Sequence, residues 1–139
     1  MSTPHSRSEY MMLFRGKHWD KGLSPEELQK VMGQVMDWFE GLKGQGRVKA
    51  GQPLGPEKIT VSRNKGVVAD GPFAESKETV GGYLLLEADN LDEAVAIARG
   101  NPTLAYGVSI EVRPVLEECP IFQRFRERQA ELKSEGILA

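Results

Sequence analysis

The alternation of apolar and polar residues along the chain predicts three clear strands. Residues 10–14 are apolar at every position, which is typical of a strand covered on both faces. Residues 83–87 form a second strongly apolar stretch. Residues 108–113 alternate apolar with polar side chains and are followed by Pro114, which predicts a strand with one exposed face that ends there.

A capping box marks the start of the first helix. Ser24 supplies an N-cap hydroxyl, Pro25 suits the first helical position, and Glu27 lies three residues after the cap. Gly44 and Gly46 provide the stop signal. Between these signals the apolar residues recur at helical spacing, at Leu28, Val31, Met32, Val35, Phe39 and Leu42.

Two more helices are predicted further along the chain. Asn90 supplies a second N-cap, and residues 100–102 (Gly-Asn-Pro) end the helix that follows it. A third helix is expected beyond residue 120, with Phe122 and Phe125 as its apolar anchor among many charged residues. We expect this last helix to be peripheral to the fold.

The stretch between the first helix and residues 83–87 predicts shorter strands. Residues 48–50 predict a short strand, which we expect to be halted by the run of Gly51, Pro53, Gly55 and Pro56. Residues 59–61 and 66–69 predict a β-hairpin, because the Asn-Lys-Gly sequence between them suits a tight turn.

These elements form two strand-helix-strand units with a hairpin between them, the ferredoxin-like βαββαβ arrangement of the α+β class. Both helices then cover one face of an antiparallel sheet. Because residues 10–14 are apolar on both sides, we expect the open face to pack against a second copy, which gives a homodimer. The domain is expected to span residues 10–116, between a frayed tail of residues 1–9 and a helical appendage of residues 117–139.

Composition and charge exclude several functional classes. The chain has 18 Lys and Arg against 20 Asp and Glu, a net charge of −2, so nucleic acid is not an expected partner. The single Cys119 excludes an intramolecular disulfide and suits a reduced, cytoplasmic location. No apolar run exceeds five residues, so neither a membrane span nor a signal-peptide core is expected.

One segment resembles a known family. Residues 68–78 read VADGPFAESKE and are followed by VGGY at residues 80–83. With YMML at residues 10–13, LSPEE at residues 23–27 and the helix at residues 94–102, this segment resembles the YCII-related family, specifically its DGPF branch. The resemblance covers nearly the whole chain and implies a dimeric α+β barrel built from two ferredoxin-like protomers.

The same resemblance implies little about the reaction. Some relatives in the wider group are assigned small-molecule lyase or related roles, and DGPF members are often associated with alternative sigma factors. The wider group is thought to use a His and Asp pair, and the Asp lies at the position of Asp70 here. The candidate for the His of this pair is His18, in the loop after the first strand, although no motif of the family surrounds it.

Asp70 lacks the hydrogen-bond partner that an Asp before Gly usually has. An Asp before Gly usually accepts a hydrogen bond from the backbone N–H two positions on, but that position is Pro72, which has no N–H. The carboxylate must therefore find another backbone N–H, a side chain, water or a ligand. Both a structural turn and a catalytic or ligand-binding role remain open.

Three neighbours of Asp70 are candidate ligand-binding residues. Phe73 suits either a core position or a platform for a ligand. Glu75 and Lys77 share one side of an extended segment and could orient a polar substrate beside Asp70. The alternative for this charged pair is a solvated strand edge.

The loop after the first strand contains Arg15, His18, Trp19 and Asp20. A cation, an imidazole, an aromatic ring and a carboxylate suit recognition of a small anion or an aromatic acid. The alternative is an exposed loop with Trp19 packed beneath it. No metal site and no cofactor is predicted, because the chain has no paired His spacing.

Two functional hypotheses follow. In the first, the protein is a small enzyme with lyase-like or acid/base chemistry on a polar or aromatic small molecule, and Asp70 and His18 are catalytic. In the second, it is a non-catalytic ligand-binding or regulatory protein whose helical tail contacts a protein partner.

Overall fold

The computed structural model describes residues 7–16, 18–63, 66–69 and 79–136. The strands are β1 (Ser8–Arg15), β2 (Val48–Pro53), β3 (Ile59–Ser62), β4 (Gly66–Ala69), β5 (Val80–Ala88) and β6 (Ser109–Pro114). Strands β2, β5, β1 and β6 lie in that order in one antiparallel sheet, and β3 and β4 form a separate two-stranded sheet. The helices are α1 (Pro25–Gly44), α2 (Leu91–Arg99), a 3₁₀ helix (Pro102–Tyr106) and α3 (Pro120–Ser134).

This strand order confirms the predicted ferredoxin-like α+β fold. Helix α1 connects β1 to β2 and helix α2 connects β5 to β6, while the β3–β4 hairpin is inserted between β2 and β5. Strand β1 begins at Ser8, two residues before the expected start. In the described parts of the chain, no helix has the length and apolar character that crossing a bilayer requires.

The predicted end of β2 near Ala50 is wrong, because the strand continues to Pro53. Strand β2 is an edge strand, where the missing N–H of a proline interrupts no central ladder. Gly51 does not stop the strand but pairs with Leu84 of β5. The extension matters because it carries the edge of the sheet as far as the cavity described below.

The helix caps predicted from sequence are present. Ser24 Oγ accepts a hydrogen bond from the Glu27 N–H, and Glu27 Oε1 accepts one from the Ser24 N–H, both at 3.2 Å. The second of these bonds is the main reason that the pKa of Glu27 lies below its usual value. Asn90 Oδ1 accepts a hydrogen bond from the Glu93 N–H at 2.8 Å and begins α2.

The core lies between the helices and one face of the sheet. Met12 of β1 and Leu86 of β5 are fully buried, and Leu42 of α1 belongs to the same cluster of buried residues. The neighbouring residues along β1 and β5 face the other way and are half-buried. Met11 pairs with Leu85 and Leu13 pairs with Tyr83 across these two central strands, so the open face carries a continuous apolar centre.

An ion pair fixes one end of the sheet. Arg47, just before β2, places Nη1 2.6 Å from Glu93 Oε1 of α2 and 3.1 Å from the Glu87 carbonyl oxygen of β5. The same Glu93 oxygen accepts a hydrogen bond from the Asp89 N–H at 2.9 Å. The Asp89 N–H first, and the Arg47 guanidinium second, hold the pKa of Glu93 below its usual value.

Helix α3 lies apart from the core, since none of its residues is buried. The expected anchor is absent: Phe122 and Phe125 contact each other, with ring centroids 6.0 Å apart, and remain 55% and 52% exposed. Ile121 beside them is 68% exposed. The helix therefore presents an apolar patch to solvent.

Candidate functional site

Two glycines form the floor of a cavity at the other end of the sheet. Gly51 of β2 and Gly82 of β5 lie on the side of the sheet that faces the helices, where Leu84 and Leu86 occupy the next positions along β5. A Cβ at Gly82 would lie 3.2 Å from the Gln52 carbonyl oxygen, and one at Gly51 would lie 3.0 Å from the Tyr83 carbonyl oxygen. Both positions leave little room for a side chain, and because neither residue carries one, the sheet surface is open here.

Gly81 contributes to the same local geometry. Phe14 pairs with Gly82, but the next residue, Arg15, pairs with Val80, so Gly81 is the extra residue of a β-bulge. A bulge at Gly81 and a close backbone approach at Gly82 therefore follow each other at this end of β5.

Helix α1 forms the roof of the cavity. The residues of α1 that line it are Val35, Met36, Trp38, Phe39 and Glu40. Trp38 Nε1 donates a hydrogen bond of 3.0 Å to the Ile97 carbonyl oxygen of α2, which fixes the indole between the two helices. Because packed helices hold these side chains, the roof is preformed.

The space between floor and roof has a volume of about 550 Å³. This volume lies within the ~300–1,000 Å³ typical of small-molecule sites. Its walls are largely apolar and include the aromatic rings of Phe14, Trp19, Trp38 and Phe39. Both tryptophans of the chain line it.

A buried polar pair forms the rear wall. Asn101 and Thr103 line the cavity and are only 6% and 8% exposed. Asn101 Oδ1 accepts hydrogen bonds from the Thr103 N–H at 2.8 Å and from Thr103 Oγ1 at 2.5 Å. These bonds begin the 3₁₀ helix that continues from Pro102. This role was not predicted, because in the sequence Asn101 is recognisable only as part of a helix stop signal.

The loop after β1 is only partly at the cavity. Arg15 and Trp19 line it, whereas His18 and Asp20 are exposed and do not. The loop leaves the sheet through Gly16, with φ 147°, where a Cβ would lie 3.0 Å from Val108 Cα. His18 has a φ of 59°, which is strained for a residue with a side chain. The loop therefore brings Arg15 and Trp19 together and leaves His18 and Asp20 outside.

Two contacts hold the residues of this loop. Arg15 Nη2 lies 2.8 Å from Glu111 Oε1 of β6. The Trp19 ring packs against Tyr106 at the end of the 3₁₀ helix, with ring centroids 6.1 Å apart. A ligand-binding role for the Arg15 guanidinium would have to include or displace Glu111.

Asp70, Phe73, Glu75 and Lys77, the predicted residues of the motif segment, lie outside the described residues. Their roles stay predictions. Residues 81–84, which follow the motif, line the cavity. Among the side chains that the structure describes, no group of three or more His, Cys, Asp or Glu is arranged to hold a metal ion.

The fold and the cavity together define an α+β domain of ferredoxin-like topology with an apolar pocket between helix and sheet. The model of the YCII-related domain matches residues 9–118, so the chain belongs to the YCII-related family. It is also similar to the uncharacterised protein R00369 of Rhizobium meliloti (strain 1021), with 43% identity over 58 residues. That match covers 39% of this chain and 44% of the relative, less than half the length of either.

Proposed function

We propose that this protein binds a planar, largely apolar small molecule in the cavity between α1 and the sheet. One observation carries the proposal: a space of about 550 Å³ is bounded by four aromatic rings and a glycine floor. All of these residues except Trp19 lie on strands or on a helix. Flat apolar ligands gain most from such walls, because aromatic rings stack face to face with an offset or edge to face.

For the chemistry at this site we propose an enzyme, with Asp70 as the general acid or base and His18 as its candidate partner. The proposal rests on the family resemblance and on the missing N–H at Pro72. The motif segment reaches the sheet at Val80, and the residues just after it line the cavity. The reaction that we propose is lyase-like or acid/base chemistry on the bound aromatic molecule.

A non-catalytic regulatory protein is the second candidate, and the exposed apolar patch of α3 favours it. A ligand sensor needs a surface for a protein partner, and Ile121, Phe122 and Phe125 offer one. An enzyme has no need of such a surface. The link of DGPF relatives to sigma factors suits this second candidate.

We also propose that two copies pair through the open face of the sheet. Met11, Leu13, Tyr83 and Leu85 form its apolar centre, and the charged pairs Lys49–Glu87 and Arg15–Glu111 lie toward its sides. An apolar centre with a polar rim is the usual anatomy of a protein interface.

Ligand binding can be tested by the intrinsic fluorescence of Trp19 and Trp38, since both line the cavity. We expect 2-acetylnaphthalene to change this emission with a saturable curve. Val35→Phe fills the cavity from α1 and should weaken binding by about tenfold or more, which corresponds to ~1.4 kcal/mol. The matched control is Met32→Phe, on the same helix but away from the cavity.

Equal affinities of the two variants and the wild type would refute binding in this cavity. Circular dichroism spectra of both variants check that the helix is intact. A probe that binds the wild type and Met32→Phe alike, but not Val35→Phe, supports the proposal.

A further inference from the structure

We infer that the side-chain amide of Asn101 is the polar anchor of this cavity, and that it selects ligands whose aromatic body carries a carbonyl-type acceptor oxygen. This inference rests on the proposed binding of a planar apolar molecule and adds the chemistry of its polar end. It depends on three features of Asn101: its orientation, its unused donor and its position on the cavity wall.

The orientation of the amide is fixed by Thr103. Both the backbone N–H and the hydroxyl of Thr103 donate to Asn101 Oδ1. Only an oxygen can accept from the backbone N–H, so the reversed amide, with nitrogen in this place, is excluded. Asn101 Nδ2, with its two N–H donors, therefore points away from Thr103.

The donor that remains is not used within the protein. In the described chain, Asn101 Nδ2 makes no hydrogen bond, since every interaction of Asn101 involves Oδ1 or the backbone. Yet no fully buried side-chain nitrogen or oxygen lacks a partner among the residues described. Nδ2 must therefore keep contact with open space, although Asn101 as a whole is only 6% exposed.

Asn101 lies in the wall of the cavity, and we therefore assign this open space to the cavity. An amide N–H in a largely apolar pocket is costly to leave without an acceptor, which favours a ligand that supplies one. Since the group offers N–H and no further acceptor, it discriminates in favour of acceptor oxygens. A ketone, amide or carboxyl oxygen on a planar ring matches it.

The two charged side chains of the wall, Arg15 and Glu40, do not make this selection. Arg15 is paired with Glu111 at 2.8 Å. Glu40 carries a negative charge and lies on α1, in the roof. A ligand carboxylate would meet this like charge, so a neutral carbonyl is the form that we expect to bind best.

The test compares two probes of nearly the same shape. 2-Acetylnaphthalene carries a carbonyl oxygen where 2-isopropenylnaphthalene carries a methylene group. Their dissociation constants are measured by tryptophan fluorescence and checked by calorimetry. In the wild-type protein we expect the ketone to bind about tenfold or more tightly, because sites with a buried donor reject analogues that lack its partner.

Asn101→Asp is the decisive variant. Its carboxylate can still accept from the Thr103 N–H and so keeps the cap of the 3₁₀ helix, but an oxygen replaces the donor Nδ2. The two dissociation constants should become about equal, or the ketone should bind more weakly than the alkene. The affinity for 2-isopropenylnaphthalene should stay close to the wild-type value. Asn101→Ser keeps a cap without adding a charge and should also remove the preference.

The outcomes separate this inference from the proposed function. If the wild type binds both probes equally, or if both variants keep the wild-type preference, Asn101 is not the anchor, whereas binding in the cavity stands. If neither probe binds the wild type, the proposed function fails and the anchor fails with it. The unchanged affinity of the variants for 2-isopropenylnaphthalene shows that they fold. 2-Naphthoate, run in parallel, tells a carboxylate ligand from a neutral carbonyl.

Discussion

The ion pair of Arg47 with Glu93 offers a sharp prediction about stability. Arg47→Met keeps most of the apolar stem and removes the guanidinium, which joins β2, β5 and α2 at one end of the sheet. The Arg47 side chain is 13% exposed, so this charge is largely shielded from water. Hydrogen bonds to charged groups contribute ~1.5–3 kcal/mol each when buried.

Two such bonds are lost in the variant, to Glu93 and to the Glu87 carbonyl oxygen. Glu93 is 31% exposed and keeps its hydrogen bond from the Asp89 N–H, so the full sum does not apply. We therefore expect Arg47→Met to lower the free energy of unfolding by about 2 kcal/mol at neutral pH.

The pH dependence of this loss has a defined sign. The pKa of Glu93 is lower in the folded protein than its ordinary value of 4.5. A group of this kind stabilises the fold above its unfolded pKa, and the stabilisation disappears as the pH falls through the folded pKa. The difference between Arg47→Met and the wild type should therefore be largest near neutral pH and shrink in the acid range below 4.5.

Urea denaturation followed by circular dichroism measures these differences in the free energy of unfolding, once at neutral pH and once in the acid range below 4.5. Lys49→Met is the matched control, because Lys49 of β2 pairs with Glu87 of β5 at 3.0 Å but is 46% exposed. Water and salt screen an exposed pair, so this control should change little. The reasoning is wrong if Arg47→Met lowers the free energy of unfolding no more than the control does, or if its effect does not depend on pH.

Three further predictions follow from the fold and the motif. Light scattering should show a dimer of this 15.4 kDa chain, and Leu13→Lys, at the centre of the open face, should give a monomer; an unchanged mass in the variant contradicts pairing through this face. Deleting residues 134–139 should leave the melting temperature nearly unchanged, and a large drop would show that this end is integral. Asp70→Asn should lower turnover ~10²- to 10⁴-fold if the carboxylate is catalytic, with a stability change of about 1 kcal/mol or less. A loss of stability without loss of rate would limit Asp70 to its turn.

Local sequence signals were sufficient for the elements whose boundaries depend on neighbouring residues. Ser24 with Glu27, and Asn90, satisfy backbone N–H groups within the same first turn, so their patterns predict the starts of α1 and α2 without any tertiary context. The order of these elements then limits the topology to very few arrangements. For this reason the ferredoxin-like fold was predictable.

The cavity depends on relations between distant parts of the chain, which local patterns do not contain. Gly51 is a strand stop by local rules, but in the sheet it lies opposite Leu84 and forms part of a floor. Asn101 ends a helix by local rules, but the fold buries it and makes it part of the cavity wall. Strand register and tertiary burial decide both roles, and neither can be derived from a single stretch of sequence.

The motif segment belongs to the part of the chain between β2 and β5, which also contains the inserted β3–β4 hairpin. Pro53 and Gly82 are direct partners in the ladder, and the Leu54 N–H donates to the Gly81 carbonyl oxygen at 2.9 Å, so the chain leaves and re-enters the sheet at one point. Doubling the length of a flexible excursion between fixed ends costs only about 0.6 kcal/mol. The chain therefore leaves the sheet at Leu54 and rejoins it at Val80 beside the cavity, so the length of the insertion between these points can change at small cost without altering the topology of the four-stranded sheet.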